Sequence, residues 1–385
     1  MLGKIAFHCY ANFEKSILKP VYDLLKEDFF CLFTRSVGEV IKFKPKVLIL
    51  ANHHYHYFRG NLKETIIVWT RHGFATKNSI NKAIAGADFA CVSSNWVKEE
   101  FIHRGWEPRL DFWVTGFISM DKIFSRKKEL PSILPPGFPW GKKTVLYAPT
   151  WNKYFTSVEL LRPKVIEKIF NHFPQLNLII KPHPQLTQTY PGIIKQWRQH
   201  KDERVILVEN FEDDIYPFFP FADLLITDAS SVMFYFLAMD RPIILINNPK
   251  RFQEKEYYDP SAPEWTWRDM GIEVESLSGL IAAIERALLY PQEKAERRAF
   301  YRELVFGDLT DGRASERIAE KVRTLLKPDE INREWVKICW DKVKVMSAED
   351  KGWRHWKVRS FLAKIGKFFN RFPVIKYFLK KVIRW

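Results

Sequence analysis

The sequence predicts an α/β protein of two Rossmann-like domains, and three observations predict it. Short apolar runs alternate with amphipathic helical patterns through residues 4–115 and again through residues 144–246, as parallel strands covered by helices on both faces do. A polar, proline-rich break at residues 127–143 separates the two series. The chain has 385 residues, too many for one ordinary core, and its 46% of hydrophobic residues can fill two.

Taken in order, the expected strands of the first domain are 4–9, 29–33, 47–51, 66–70, 87–93 and 112–115, with helices at 13–25 and 96–104. Those of the second are 144–148, 176–180, 205–208, 224–226 and 243–246, with helices at 163–173, 214–221 and 232–239. Later helical patterns cover 277–289, 294–305, 314–326 and 330–345, the last placed to cross back and brace the first domain. The division is a first domain at 1–126, a linker at 127–143, a second domain at 144–330, a returning helix at 331–350 and a tail at 351–385. Two such domains form a cleft at their strand C-termini, where open α/β sheets bind ligands. No Gly-x-Gly-x-x-Gly follows a strand, so nothing points to a dinucleotide.

The net charge of +16 is uneven, since residues 351–385 carry eleven Lys and Arg and no acid. The basic balance is mostly a property of the tail, and a nucleic-acid groove is the weaker explanation. From position 361 the residues Phe361, Ile365, Phe368, Phe369 and Phe372 share one helical face, with Lys364, Lys367 and Arg371 elsewhere. This basic amphipathic helical tail is expected to lie on an anionic membrane surface, or else to pack on the protein with a solvated charged face. Cys9, Cys31, Cys91 and Cys339 stand far apart, without metal spacing, and read as buried thiols in a reducing compartment. With no leader-like start and no membrane-span run, a cytoplasmic site of action is expected.

Five turns could carry chemistry. After residues 66–69 comes Thr70-Arg71-His72-Gly73, with Lys77 beyond. A histidine at the mouth of a sheet suits a general base, and equally a solvated loop histidine. Pro149 and Thr150 follow the strand at 144–148, where Thr150 can offer its hydroxyl and N–H to a ligand or simply turn the chain. Lys181-Pro182-His183-Pro184 holds a restrained histidine able to keep a hydrogen bond to a phosphoryl oxygen, or forms a rigid turn with an incidental histidine. Thr227-Asp228-Ala229-Ser230-Ser231 enters a helix, which suits a phosphate or plain capping. Asp311-Gly312-Arg313 precedes another helix and could also be only a cap.

Together these segments resemble the CDP-glycerol glycerophosphotransferase family of teichoic-acid and capsule synthesis. The likeness rests on His72-Gly73 with Lys77, Leu146-Tyr147-Ala148-Pro149-Thr150-Trp151, Lys181-Pro182-His183-Pro184, Asp223 through Phe234 with its Thr227-Asp228 and Ser230-Ser231, and Asp311-Gly312-Arg313-Ala314-Ser315-Glu316-Arg317, all in family order. The resemblance implies a GT-B-like fold, with two Rossmann-like domains facing a central cleft and the nucleotide donor held by the second. It implies His72 as the base for the acceptor hydroxyl and His183 as a second essential histidine on the transferred phosphate. Thr150, Thr227, Asp228, Ser230, Ser231, Asp311, Gly312 and Arg317 are expected on the donor side, Gly73 and Lys77 on the acceptor side. The reaction implied moves a glycerol-phosphate or related polyol-phosphate unit from a CDP-alcohol to a hydroxyl of a lipid-linked or polymer acceptor, releasing CMP. No metal-ligand cluster is evident, so no metal is required by the sequence.

The chain departs from the family pattern at Ala229, where a tyrosine is usual, at Tyr235, where an acid often stands, and in the turn Gly116-Phe117-Ile118-Ser119-Met120-Asp121. Rival readings are a sugar-nucleotide glycosyltransferase or a UDP-GlcNAc 2-epimerase-like enzyme on the same fold, and a non-enzymatic membrane scaffold. The glycines and paired glutamates of the epimerase pattern are replaced here by Ser230, Ser231, Val232 and Met233.

Overall fold

A computed structural model describes residues 3–71, 74, 79–125, 138–139, 141–162, 164–200, 202–209, 214–254 and 257–349. The first lobe runs β1 (Lys4–His8), α1 (Asn12–Leu25), β2 (Phe30–Thr34), α2 (Val37–Phe43), β3 (Val47–Leu50), β4 (Ile66–Trp69), α3 (Ser79–Gly86), β5 (Phe89–Val92), α4 (Asn95–His103), β6 (Asp111–Val114) and α5 (Asp121–Phe124). The second runs β7 (Thr144–Ala148), α6 (Val158–Leu161), α7 (Val165–His172), β8 (Asn177–Ile180), α8 (Leu186–Thr189), α9 (Pro191–Gln199), β9 (Val205–Leu207), β10 (Leu224–Thr227), α10 (Val232–Phe236), β11 (Ile243–Ile246), α11 (Pro263–Thr266) and β12 (Ile272–Val274). Four helices follow among the described residues: α12 (Leu277–Leu289), α13 (Ala295–Phe306), α14 (Ala314–Leu326) and α15 (Arg333–Glu349).

Each lobe is built on a six-stranded sheet, ordered β2-β1-β3-β4-β5-β6 in the first and β12-β11-β10-β7-β8-β9 in the second. All ten strand pairings among the described residues are parallel. Strands such as Val-Leu-Ile-Leu in β3 and Ile-Ile-Leu-Ile in β11 are buried at every position because helices cover both faces. Strand order reverses between β1 and β3 in the first sheet and between β7 and β10 in the second. Crevices at such reversals are where open parallel sheets take ligands.

The segment expected as a helix at 214–221 is a 3-10 helix, Tyr216–Phe221. Pro217 and Pro220 bring no N–H to an α-helical ladder, which shortens the regular run. The expected helix at 232–239 is α10 followed by a 3-10 turn at Leu237–Met239 that stops at Asp240, whose φ is 46°. Strand β12 and helices α2, α3 and α9 go beyond the sequence expectation.

The chain returns to the first lobe one helix before residue 331. Ile318, Ala319, Val322 and Leu325 of α14 share a core with Ile17, Leu18, Val21 and Leu25 of α1, and Cys339 and Val343 of α15 extend it. The turn into α14 is pinned to α5. Asp121 accepts the N–H groups of Ala314 and Ser315 and the Ser315 hydroxyl. Gly312 has φ of 74°, and a Cβ there would lie 2.6 Å from the Asp121 carbonyl oxygen, so glycine is needed for both conformation and space. The tail at 351–385 lies outside the described residues. Among those described, no helix is long and apolar enough to cross a membrane.

Candidate active site

The turns after β7, β8 and β10 emerge side by side because β7 pairs with both β8 and β10. They are tied together from beneath. The Thr227 hydroxyl donates to the Ala148 carbonyl at 2.7 Å, joining the ends of β10 and β7. Asp228, fully buried, accepts the Thr150 N–H at 3.0 Å and both the N–H and the hydroxyl of Ser157 at 2.9 and 3.0 Å. The Thr150 N–H, expected to face a ligand, is thus committed to Asp228. Thr227 and Asp228 lie inside the wall, shaping the turns from behind.

Burial pushes the Asp228 carboxyl up to about 6, against the hydrogen bonds from Ser157 and Thr150 and the charge of Arg268. Its folded value lies above that of an unfolded aspartate, so the fold takes up a proton as pH falls below about 6, and the group's stabilising contribution is lost as pH rises through that value. Asp228→Ala strands buried donors and is expected to lower unfolding free energy by about 2–4 kcal/mol at neutral pH. In urea titrations the gap from wild type should widen as pH drops from about 6 toward 4, since only the wild type gains from the proton; a narrowing gap would contradict the shift.

Ser230 and Ser231 stand half-buried at the start of α10. The Ser231 side chain makes no capping bond to the helix backbone. The first N–H groups of α10 are already engaged, Val232 with the Ser230 hydroxyl at 3.5 Å, Met233 with the Ser230 carbonyl at 3.2 Å and Phe234 with the Ser231 carbonyl at 3.1 Å, so the two hydroxyls are what this turn offers an anion.

His183 is fixed on both sides. Its N–H donates to the Pro149 carbonyl at 3.1 Å, and its Nδ1 accepts the Gln185 N–H at 3.2 Å. A backbone N–H can only donate, so the neutral ring carries its proton on Nε2. That tautomer presents a hydrogen-bond donor, the form suited to a phosphoryl oxygen.

Arg317 forms a two-point pair with Asp311 and reaches the Thr115 carbonyl at 3.5 Å, beside the mouth of β6. Asp311, Gly312 and Arg317 therefore stand against the first lobe at the end of β6. His72, Gly73 and Lys77 lie outside the described residues. Their neighbours Arg71 and Phe74 are buried at the end of β4, with the Arg71 guanidinium 5.0 Å from the Phe101 ring and 5.6 Å from that of Phe74. Burial lowers the Arg71 value to about 10, opposed by Tyr235 and Glu264.

A second cluster escaped the sequence reading. The turn after β3 carries His53, His54, Tyr55, His56 and Tyr57, with the His54 ring 5.0 Å from Tyr10 and that of His56 4.2 Å from Tyr57. Buried Glu14 accepts the Tyr10 N–H and the Asn52 side-chain amide, which joins the loops after β1 and β3 across the first sheet's reversal. The signal was the density of His and Tyr just past an apolar strand. Among the described residues no group of three His, Cys, Asp or Glu is arranged to hold a metal ion.

The model of the CDP-glycerol:poly(glycerophosphate) glycerophosphotransferase family matches residues 47–324. The chain belongs to this family. No curated protein matches it in sequence. Among solved structures it is similar to the wall teichoic acid polymerase TagF, H444N variant, with a TM-score of 0.64 and 16% identity over 87% of this chain and 90% of that one. It is also similar to the S. aureus MnaA–UDP complex, with a TM-score of 0.56 and 14% identity over 85% and 98% of the two chains. The UDP-GlcNAc 2-epimerase from Neisseria meningitidis bound to UDP-GlcNAc gives 0.51 and 13% over 84% and 99%. At such identities the likeness shows the fold, which is GT-B-like. With the family match, the chain is a CDP-glycerol glycerophosphotransferase-like enzyme with CDP-glycerol as donor.

Proposed function

We propose that the enzyme transfers a glycerol-phosphate unit from CDP-glycerol, or a related polyol-phosphate from the corresponding CDP-alcohol, to a hydroxyl of a lipid-linked or polymer acceptor at the cytoplasmic face of the membrane. The acceptor oxygen attacks the β-phosphorus, His72 takes its proton, the bond to CMP breaks, and CMP leaves with the bonding electron pair. The Nε2–H of His183 donates to the transferring phosphate. The Ser230 and Ser231 hydroxyls hold the donor phosphates, and Arg317 supplies positive charge from the facing side. The observation that carries this reading is the meeting of the Thr150, His183 and Ser230–Ser231 turns at the strand reversal of the second sheet.

The acceptor side is assigned to the first lobe. Gly73 and Lys77 follow the base in sequence, and the loop from His53 to Tyr57 follows β3, which pairs with β4, the strand that precedes His72 in the chain. Imidazole and phenol groups there suit an alternating chain of hydroxyls and phosphates. The eleven basic residues of the tail and its interleaved phenylalanines suit an anionic lipid surface, which would bring the enzyme to a lipid-linked substrate.

Calorimetric titration with CDP-glycerol, CDP-ribitol, UDP-GlcNAc and CMP tests the donor assignment. Cytidine ligands are expected to bind, with CDP-glycerol weakened about tenfold or more by His183→Ala, as loss of a hydrogen bond to a charged group implies. A preference for UDP-GlcNAc would overturn the assignment.

A further inference from the structure

The strand reversal of the first sheet is a second ligand crevice by topology, and the donor turns of the second lobe leave it unused. Strands β1 and β3 are neighbours there, while β2 follows β1 in sequence and pairs on its other side. Open parallel sheets take ligands at the C-terminal mouth of such a pair. Four rings form one row at this mouth. Tyr10, from the loop after β1, meets His54 at 5.0 Å with planes inclined by 87°. His54 meets Tyr57 at 5.6 Å, and Tyr57 meets His56 at 4.2 Å. Tyr10 is 63% exposed and the other three are half-buried, so the row is reached from solvent.

Two buried side chains set the row in place. Glu14 of α1 accepts the Tyr10 N–H at 2.5 Å and the Asn52 side-chain amide at 2.9 Å, and the Asn52 side-chain oxygen accepts the His54 N–H at 2.8 Å. A backbone N–H can only donate, which fixes the Asn52 amide with its oxygen toward His54 and its nitrogen toward Glu14. The loops after β1 and β3 are therefore coupled through their backbones. The 3-10 turn His54–Tyr57 is closed by the Phe58 and Arg59 N–H groups on the Tyr55 carbonyl, and the Tyr55 and Tyr57 rings rest on a core that includes Val40, Leu48, Phe58 and Leu62.

The row offers groups that both give and take hydrogen bonds. His56 places Nδ1 3.2 Å from the His53 carbonyl, which only accepts, so Nδ1 bears the proton and Nε2 is the accepting nitrogen of the neutral ring. A neutral imidazole suits a hydroxyl, and an imidazolium or a phenol suits a phosphate oxygen. The Thr70 N–H and hydroxyl reach the Leu50 carbonyl at 2.8 and 3.3 Å, so the end of β4 stands one strand away, a spacing of about 4.8 Å. We propose that Tyr10, His54, Tyr57 and His56 form an acceptor subsite for the polyol-phosphate unit that precedes the attacking hydroxyl, with Glu14 and Asn52 as its positioning residues. The proposal rests on the reading of the protein as a polyol-phosphate transferase. It makes the enzyme selective for acceptors that already carry a phosphodiester over bare alcohols.

The test uses the full chain without donor and titrates it with glycerophosphoglycerol, two glycerols joined through one phosphate, beside glycerol and inorganic phosphate. The diester is expected to bind more tightly than either fragment. His54→Ala and His56→Ala should each weaken it about tenfold, as loss of a hydrogen bond to a charged group implies, with CDP-glycerol affinity unchanged. In transfer to an acceptor bearing the diester, the same variants should raise the acceptor KM and leave kcat in place. Asn52→Ala should raise that KM too and speed hydrogen exchange at the His54 amide, whereas a loss confined to Tm would overturn its positioning role. Equal diester binding by wild type and both histidine variants would overturn the subsite, as would a wild type that binds the diester no better than phosphate. If CDP-glycerol is neither bound nor consumed while the diester binds in a His54-dependent way, the functional reading fails and the phosphodiester site stands. Transfer from CDP-glycerol with diester binding indifferent to both histidines has the opposite meaning.

Discussion

His72→Ala is expected to reduce transfer by about 10²–10⁴-fold in kcat, the usual loss when a positioned general base is removed. An alcohol is a poor nucleophile until its proton begins to leave, and no other group is assigned to take it. His183 cannot substitute, because its Nδ1 already accepts the Gln185 N–H and its neutral Nε2 bears the proton. Its ring is set up to donate, which is the opposite task. Donor affinity should survive, since the donor turns belong to the second sheet and His72 follows β4 of the first. The measurement is CMP release under saturating CDP-glycerol, paired with calorimetry on the same variant. A fall in kcat smaller than about tenfold would remove His72 from the role of base, and a matching loss of donor affinity would move it to the donor site.

The largest stability effect is expected far from that chemistry, at the N-terminal end of β5. Asp88 and Arg59 form an ion pair at 2.9 Å in which both side chains are at most 1% exposed. Asp88 also accepts the Ile67 N–H at 2.7 Å, and Arg59 donates from Nε and Nη2 to the Gly86 carbonyl. The pair thus ties β4, β5, α3 and the segment after β3 into one corner of the lobe. Asp88→Ala leaves a guanidinium in the interior without its carboxylate and is expected to cost about 3–5 kcal/mol in unfolding free energy. Asp88→Leu combined with Arg59→Met should recover much of that, because an apolar pair of similar volume carries no desolvation penalty. Urea midpoints of the three variants provide the check. A single variant within about 1 kcal/mol of wild type would show that water reaches the corner.

Parallel strands buried on both faces write themselves as unbroken apolar runs, which is why β3, β7, β8, β10 and β11 were legible in the sequence. The turns at their C-terminal ends followed from that, and with them Thr150, His183, Ser230 and Ser231. What a helix packs against is not written in its periodicity. The pattern at 314–326 reads the same whether its apolar face meets the second sheet or α1, and it meets α1. Asp228 shows a different limit, because an aspartate before a helix looks like a cap whether it faces the helix or, as here, the turn after a neighbouring strand. Tyr235 was visible as a departure from the family pattern, but its stacking partner Phe117 belongs to the other lobe, and no local rule links positions so far apart.

The return of α14 and α15 to the first lobe has a consequence for how the chain is made. Helix α1 leaves the ribosome early, yet its partner α14 begins at residue 314, nearly three hundred residues later. At about 5–20 residues per second, the apolar side of α1 waits roughly 15–60 s for the helix that covers it. Throughout that interval Leu18, Val21 and Leu25 lack part of their final packing, while the second lobe has the residues of its own sheet and can fold first. The lobe synthesised first is therefore the lobe completed last, and a chain broken off before residue 314 should be captured by chaperones through α1.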